Sequence, residues 1–115
     1  MRGKDLRFIL LFDLYGELLS DTQKEMFDLY YNDDLSLSEV AENTGITRQG
    51  VRDSIKRSEE TLLSFEEKLG LAEKLTGMNR RAEEIRALLL PLADALPEKK
   101  ETVEAITSLL DSMKL

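Results

Sequence analysis

Val51, Ile55, Ser58, Leu62, Phe65 and Leu69 follow one another at alternating steps of four and three. A strand alternates its side chains every two residues and cannot gather these six on one face; a helix can. A second run of the same spacing passes through Leu71, Leu75, Met78, Ala82, Ile85 and Leu89. The two seams are out of phase across Gly70, which predicts a bend or turn there instead of one straight rod. Nearly every other segment carries the same helical rhythm, and no stretch shows sustained period-two alternation or a hairpin turn. The chain is therefore expected to be all-α.

Local signals divide it further. Asp5 to Leu18 reads as a first helix, and its middle, FILLF, is apolar on all sides, which predicts cover on more than one face. Ser20 with Gln23 forms a capping box that opens a second helix, whose Met26, Phe27, Tyr30 and Tyr31 read as core. A nucleic-acid stacking platform would interleave such rings with basic residues, and none interleave here. Ser36 and Glu39 form a second box, starting a short helix that ends near Asn43 or Thr44. Gly45 supplies the positive φ of a sharp turn. Thr47 is the next N-cap, and a long helix follows to about Leu69, closed by Gly70. Pro91 and Pro97 interrupt the later pattern, and Val103, Ile106, Leu110 and Met113 mark a last amphipathic helix. The acidic doublets Glu59-Glu60, Glu66-Glu67 and Glu83-Glu84 lie beside the seams, as solvated helix faces do.

The segment Leu35 to Arg57, LSLSEVAENTGITRQGVRDSIKR, meets several demands of a helix-turn-helix together. Ala41 is small where the first helix packs on the second, and Gly45 follows four residues later in the turn. Ile46, Val51 and Ile55, with Leu37 and Val40, lock the pair down. With Val51, Ile55 and Ser58 inward, a 3.6-residue period turns Gln49, Arg52, Asp53 and Lys56 outward and puts Arg48 and Arg57 on the flanks. Thr47 and the first backbone N–H groups of the helix can meet a phosphate. Gln49 and Arg52 are of the kinds that read adenine and guanine edges, with Lys56 beside them on bases or nearby phosphates; Asp53 either accepts from a cytosine amino group or weakens binding. A packed tri-helical unit of this kind also serves as a protein-docking module, so nucleic-acid reading and docking both remain open at this point.

Charge bears on that choice. The 115 residues carry a formal charge of −7, from 16 cations against 23 anions. Residues 36–58 hold Arg48, Arg52, Lys56 and Arg57 against Glu39, Glu42 and Asp53, a net +1, whereas 1–35 and 59–115 each carry −4. Distant charges are screened within about 8–10 Å at ordinary salt, so acidity elsewhere does not forbid DNA binding. It does limit non-specific affinity; one copy is expected to make only ~2–4 phosphate contacts, and useful affinity calls for a dimer.

Other function classes lose their chemistry. The chain has no Cys and no His, which removes disulfide scaffolds, thiolate catalysis, Cys-based zinc and the usual proton shuttle, and which suits a reducing cytoplasm. Neither a Gly-rich phosphate loop, a nucleophile–base pair nor an acid cluster of cation-binding spacing appears, so neither an enzyme nor a cofactor is expected. Arg2, Lys4 and Arg7 before the apolar run Phe8 to Phe12 imitate the start of a signal peptide. The run is too short and Asp13 interrupts it, so a buried helix is expected and no membrane span.

LSLSEVAENTGITRQGVRDSIKRSEETL resembles the region of bacterial sigma factors that recognises the −35 promoter element, through Glu39, Val40, Ala41, Gly45, Ile46, Thr47, Val51 and Arg57. More closely, residues 6–71 resemble the YlxM-type helix-turn-helix proteins of Gram-positive bacteria, with DLYGELLSDTQ and YYNDDLSLSEVAE the most distinctive pieces. That family is named for genes lying beside those of the signal recognition particle. The resemblance implies a cytoplasmic, all-helical, non-enzymatic regulatory protein that takes part in the targeting pathway, with DNA, the particle's RNA or its GTPase as candidate partners. Past residue 75 no distinctive motif appears.

The expectation is thus an all-α, sigma region 4-like helix-turn-helix core over residues 1–70, with an extended helical C-terminal arm over 71–115. Its nucleic-acid-binding residues are Thr47, Arg48, Gln49, Arg52, Lys56 and Arg57. The leading reading is a DNA-binding regulator; the rival is an accessory factor of the signal recognition particle. The nearly all-round apolar first helix and the two seams favour a homodimer, and an intramolecular helical hairpin satisfies the same seams.

Overall fold

The computed structural model describes residues 4–113, so Arg2 lies outside the described residues. All the regular elements described are helical. They are α1 (Arg7–Tyr15), α2 (Asp21–Phe27), α3 (Leu37–Thr44), α4 (Arg48–Leu69), α5 (Leu71–Ala95) and α6 (Lys100–Ser112). Short 3₁₀ turns occupy Gly16–Leu18 and Pro97–Lys99, and one π turn, Asp28–Asn32, extends α2. The chain divides into two compact units, Met1–Ala72 and Glu73–Leu115. Among the described residues no helix is long and apolar enough to cross a membrane.

The helix starts follow from side chains that capture orphan backbone donors. Ser20 and Gln23 form one reciprocal capping box and Ser36 and Glu39 another, as the spacing predicts. Helix ends follow from glycine: Gly45 (φ 74°) stops α3 and Gly70 (φ 64°) stops α4 in the left-handed region, where an L side chain is strained. The first helix is shorter than its apolar rhythm suggests. Regular α geometry ends at Tyr15, and the last turn tightens to 3₁₀.

In the first unit α1, α2 and α3 pack along α4, from Val51 as far as Glu66. Phe27 is fully buried, stacked on Phe12 (centroids 4.9 Å apart) and on Tyr31 (4.5 Å), with Phe8 edge-on at 6.4 Å. The rings expected in the core are there, although Tyr30 is only half-buried. Cover around α1 is wide but incomplete: Phe8, Leu11 and Tyr15 are buried, Ile9, Phe12 and Leu14 pack against the core from either side, and Leu10 is exposed. The first seam is likewise graded. Val51, Ile55, Ser58 and Leu62 are buried, Phe65 is partly covered and Leu69 is open.

Two tyrosine–glutamate pairs fasten α4 to its neighbours. The Tyr15 hydroxyl donates to Glu66 Oε1 at 2.8 Å and accepts from the Leu71 N–H, while the same Glu66 oxygen accepts from the Ala72 N–H. Tyrosine and carboxylate together satisfy first-turn donors of α5. Tyr31 donates to the Glu59 carboxylate. Burial pushes both phenols above the ordinary tyrosine range. Glu60 and Glu67 are solvated as expected, but Glu59 and Glu66 are half-buried acceptors. This corrects the reading of both doublets as solvated faces.

In the second unit the chain reverses at Leu96–Lys99, and Arg86 on α5 pairs with Asp111 on α6. Ala82, Val103 and Leu110 are buried. The helix also runs through Pro91, contrary to the expected interruption. Proline removes one N–H from the ladder and crowds the carbonyl four residues back, a local loss that does not forbid helical φ. Pro97, whose own φ suits a first turn, opens the 3₁₀ segment instead.

Candidate nucleic-acid interface

The interface is assembled from the α3–turn–α4 segment. The Glu39 N–H donates to Ser36 Oγ (3.1 Å), and the Ser36 N–H donates back to Glu39 Oε1 (2.9 Å). That backbone donor holds the Glu39 carboxyl below the usual carboxylate range. At the far end of α3 the Gly45 N–H closes on the Ala41 carbonyl at 2.9 Å. A Cβ on Gly45 would have nothing within 4 Å, so backbone conformation alone, and not space, calls for glycine. At Gly50 the reverse holds. A Cβ there would come within 3.0 Å of both Ile46 Cγ2 and Thr47 Oγ1, so glycine lets the turn close tightly on the helix start.

Thr47 caps α4 by accepting the Gly50 N–H at 3.0 Å. Val51, Ile55 and Ser58 point inward, and Thr47, Arg48, Gln49, Arg52, Asp53, Lys56 and Arg57 are all exposed. Arg48, Arg52 and Lys56 recur every fourth residue and form one stripe along the helix. Arg57 stands about half a turn away from Arg48 at ~100° per residue.

Several other cations of the chain are paired, while Lys68, Arg80, Arg81, Lys99 and Lys100 have no ion pair among the described residues. Arg7 is tied to Asp5, Lys24 to Glu17 and Arg86 to Asp111. The side chains of Arg48, Arg52, Lys56 and Arg57 have no ion-pair or hydrogen-bond partner among the described residues. Gln49 is engaged: its Nε2 donates to Asp53 Oδ1 at 3.0 Å. That bond uses one of the two Nε2–H donors and fixes the orientation of the amide, and it gives the outward carboxylate a partner inside the helix.

Two clefts flank the stripe. Arg52 and Lys56 line one of about 310 Å³ together with Tyr30, Leu37, Ile55 and Glu59. Arg48 lines one of about 450 Å³ with Lys4, Tyr30, Asp34 and the first turn of α3. Lys4 is the anchor of the second. Its ammonium lies 3.9 Å from the Tyr30 ring centre, donates to the Tyr30 and Leu35 carbonyls, and pairs with Asp34 at 3.1 Å. Asp34 adopts φ 55°, an unusual conformation for a non-glycine residue, and the Lys4 clasp stabilises the turn that contains it. Sequence reasoning missed Lys4, Tyr30 and Leu37 as neighbours of the stripe. Lys4 and Tyr30 stand 26 positions apart, and no local spacing signals their meeting.

Residues 2–106 match the UPF0122 family, described as "Putative helix-turn-helix protein, YlxM / p13 like". A UPF0122 protein of Caldanaerobacter subterraneus subsp. tengcongensis is 46% identical over 86 residues, covering 75% of this chain and 74% of that one. A UPF0122 protein of Desulforamulus reducens is 48% identical over 80 residues, covering 70% and 68%. One from Bacillus cereus strain AH187 is 41% identical over 109 residues, covering 95% and 99%.

Proposed function

From the premise that the chain belongs to the UPF0122 family of YlxM / p13-like proteins, we propose that it is a cytoplasmic, non-enzymatic, DNA-binding regulator that acts as a pair of copies. One observation carries the reading: four exposed cations without partners among the described residues, on the outward surface of a helix held by a capped turn. Arg52 and Lys56 meet base edges or neighbouring phosphates, Arg48, Thr47 and Arg57 hold the backbone, and Gln49 faces a base edge with its amide oriented by Asp53. Family membership supports the motif, and its unpaired charge supports a polyanion as the ligand.

The test is binding to duplex DNA at low salt, starting from a pool of random duplexes. Arg52→Ala with Lys56→Ala is expected to weaken binding to the selected site by roughly 10–100-fold, since a good base contact is worth about 1–3 kcal/mol. Equal affinity before and after removes these two residues from the interface. Co-purification with the signal recognition particle's GTPase or RNA that survives both substitutions would instead establish the accessory-factor role.

A further inference from the structure

We propose that the cleft between α4 and Tyr30 is a seat for one unpaired nucleotide of a single strand, and that it takes a base bearing an amino group. Its volume of about 310 Å³ falls at the lower end of small-ligand clefts, roughly 300–1,000 Å³. Its walls divide by chemistry. The half-buried Tyr30 ring, with Leu37 and the buried Ile55, offers an apolar lining for a flat ring. Arg52 and Lys56, exposed and without side-chain partners among the described residues, suit a phosphate. Tyr30 also borders the neighbouring cleft, where the Lys4 ammonium lies 3.9 Å from its ring centre and Arg48 forms part of the wall. No basic residue adjoins Tyr30 in sequence, yet four cations line the two clefts it borders. An aromatic ring among cations is how single-strand binders hold a base by its face and the backbone by its charge.

Glu59 selects the base. Its Oε2 accepts from the hydroxyl of the buried Tyr31, which holds the carboxylate in place. Its Oε1 has no partner among the described residues and is left to accept an N–H. Cytosine presents an amino group where thymine presents a carbonyl oxygen. Thymine would therefore set oxygen against oxygen in this cleft, and cytosine would fill the acceptor. A base within a duplex has both faces stacked on its neighbours, so only an unpaired one can lay a face on Tyr30. The seat shares Arg52 and Lys56 with the duplex-reading surface proposed above and adds Tyr30 and Glu59, which that surface does not use.

The test is fluorescence anisotropy of the full chain at low salt with labelled oligo-dC and oligo-dT single strands of about eight nucleotides. Oligo-dC is expected to bind about tenfold tighter than oligo-dT. Glu59→Gln keeps an oxygen for Tyr31 and turns an N–H into the cleft, so it should erase or reverse that preference. Tyr30→Leu should weaken both strands by about tenfold or more, and Tyr30→Phe, which keeps the ring, should restore them. Equal affinity for the two strands, or a preference for oligo-dC that survives Glu59→Gln, would overturn the proposal. Binding of dCMP as tight as that of oligo-dC would overturn a strand as the occupant. Neither Glu59→Gln nor Tyr30→Phe should alter duplex binding. A parent that binds duplexes and no single strand would sink the seat and leave the duplex reading standing; one that binds single strands and no duplex would do the opposite.

Discussion

Ser58 sits at the centre of the buried face of α4, with no accessible surface and no hydrogen-bond partner for its hydroxyl. A buried polar group left unpaired costs about 1–3 kcal/mol, against a loss of only a few contacts when one oxygen is removed. Ser58→Ala is therefore expected to stabilise the protein by about 1 kcal/mol. Urea unfolding should show a higher midpoint at unchanged slope; a lower midpoint would mean that the hydroxyl has a partner, such as a buried water. The spacing placed Ser58 on the inward seam, and it is inward. Whether its hydroxyl would find a carbonyl one turn back was not legible, because that depends on the side-chain rotamer. Glu59 and Glu66 teach the same lesson with opposite sign. Their acidic character suggested solvent, but tyrosines 28 and 51 positions away supply the hydrogen bonds that hold them half-buried. Such pairings arise only from tertiary packing.

Elements begin and end where local chemistry dictates, and this part of the fold was open to inspection. Ser20–Gln23, Ser36–Glu39, Thr47, Gly45 and Gly70 each act within four residues of the backbone groups they serve, so spacing alone locates them. The π turn after Phe27 and the helix running through Pro91 were hidden, because each trades one local preference against packing. The Ser36–Glu39 box also has a pH signature. The folded-state carboxyl of Glu39 is held below its ordinary value by the Ser36 N–H. Between the two values the unfolded chain binds more protons, so this contribution is present above the unfolded value, about 4.3, and is lost as pH falls through the folded one. Glu39→Gln keeps an acceptor oxygen and cannot titrate. Its stability should fall less steeply than the parent's between about pH 5 and pH 3. Parallel curves for the two proteins would remove Glu39 as a source of acid sensitivity.

At the scale of the molecule, binding and association should be linked through charge. The chain carries −7 overall, and of the segments 1–35, 36–58 and 59–115 the middle one, which holds the helix-turn-helix, is the one with a positive balance. One copy offers four cations in the N-terminal half of α4, enough for ~2–4 phosphate contacts, each contributing about −0.9 to the slope of log K against log salt. The expected slope is then about −2 to −4 for a single copy and about twice that for a pair bound to two half-sites. Arg52→Ala with Lys56→Ala should lower the slope while the chain still associates. Titrations of the parent and of this variant at several salt concentrations check both expectations. A parent slope of the single-copy size would mean that each copy grips DNA alone. An unchanged slope in the double-alanine protein would mean that Arg52 and Lys56 neutralise no phosphate.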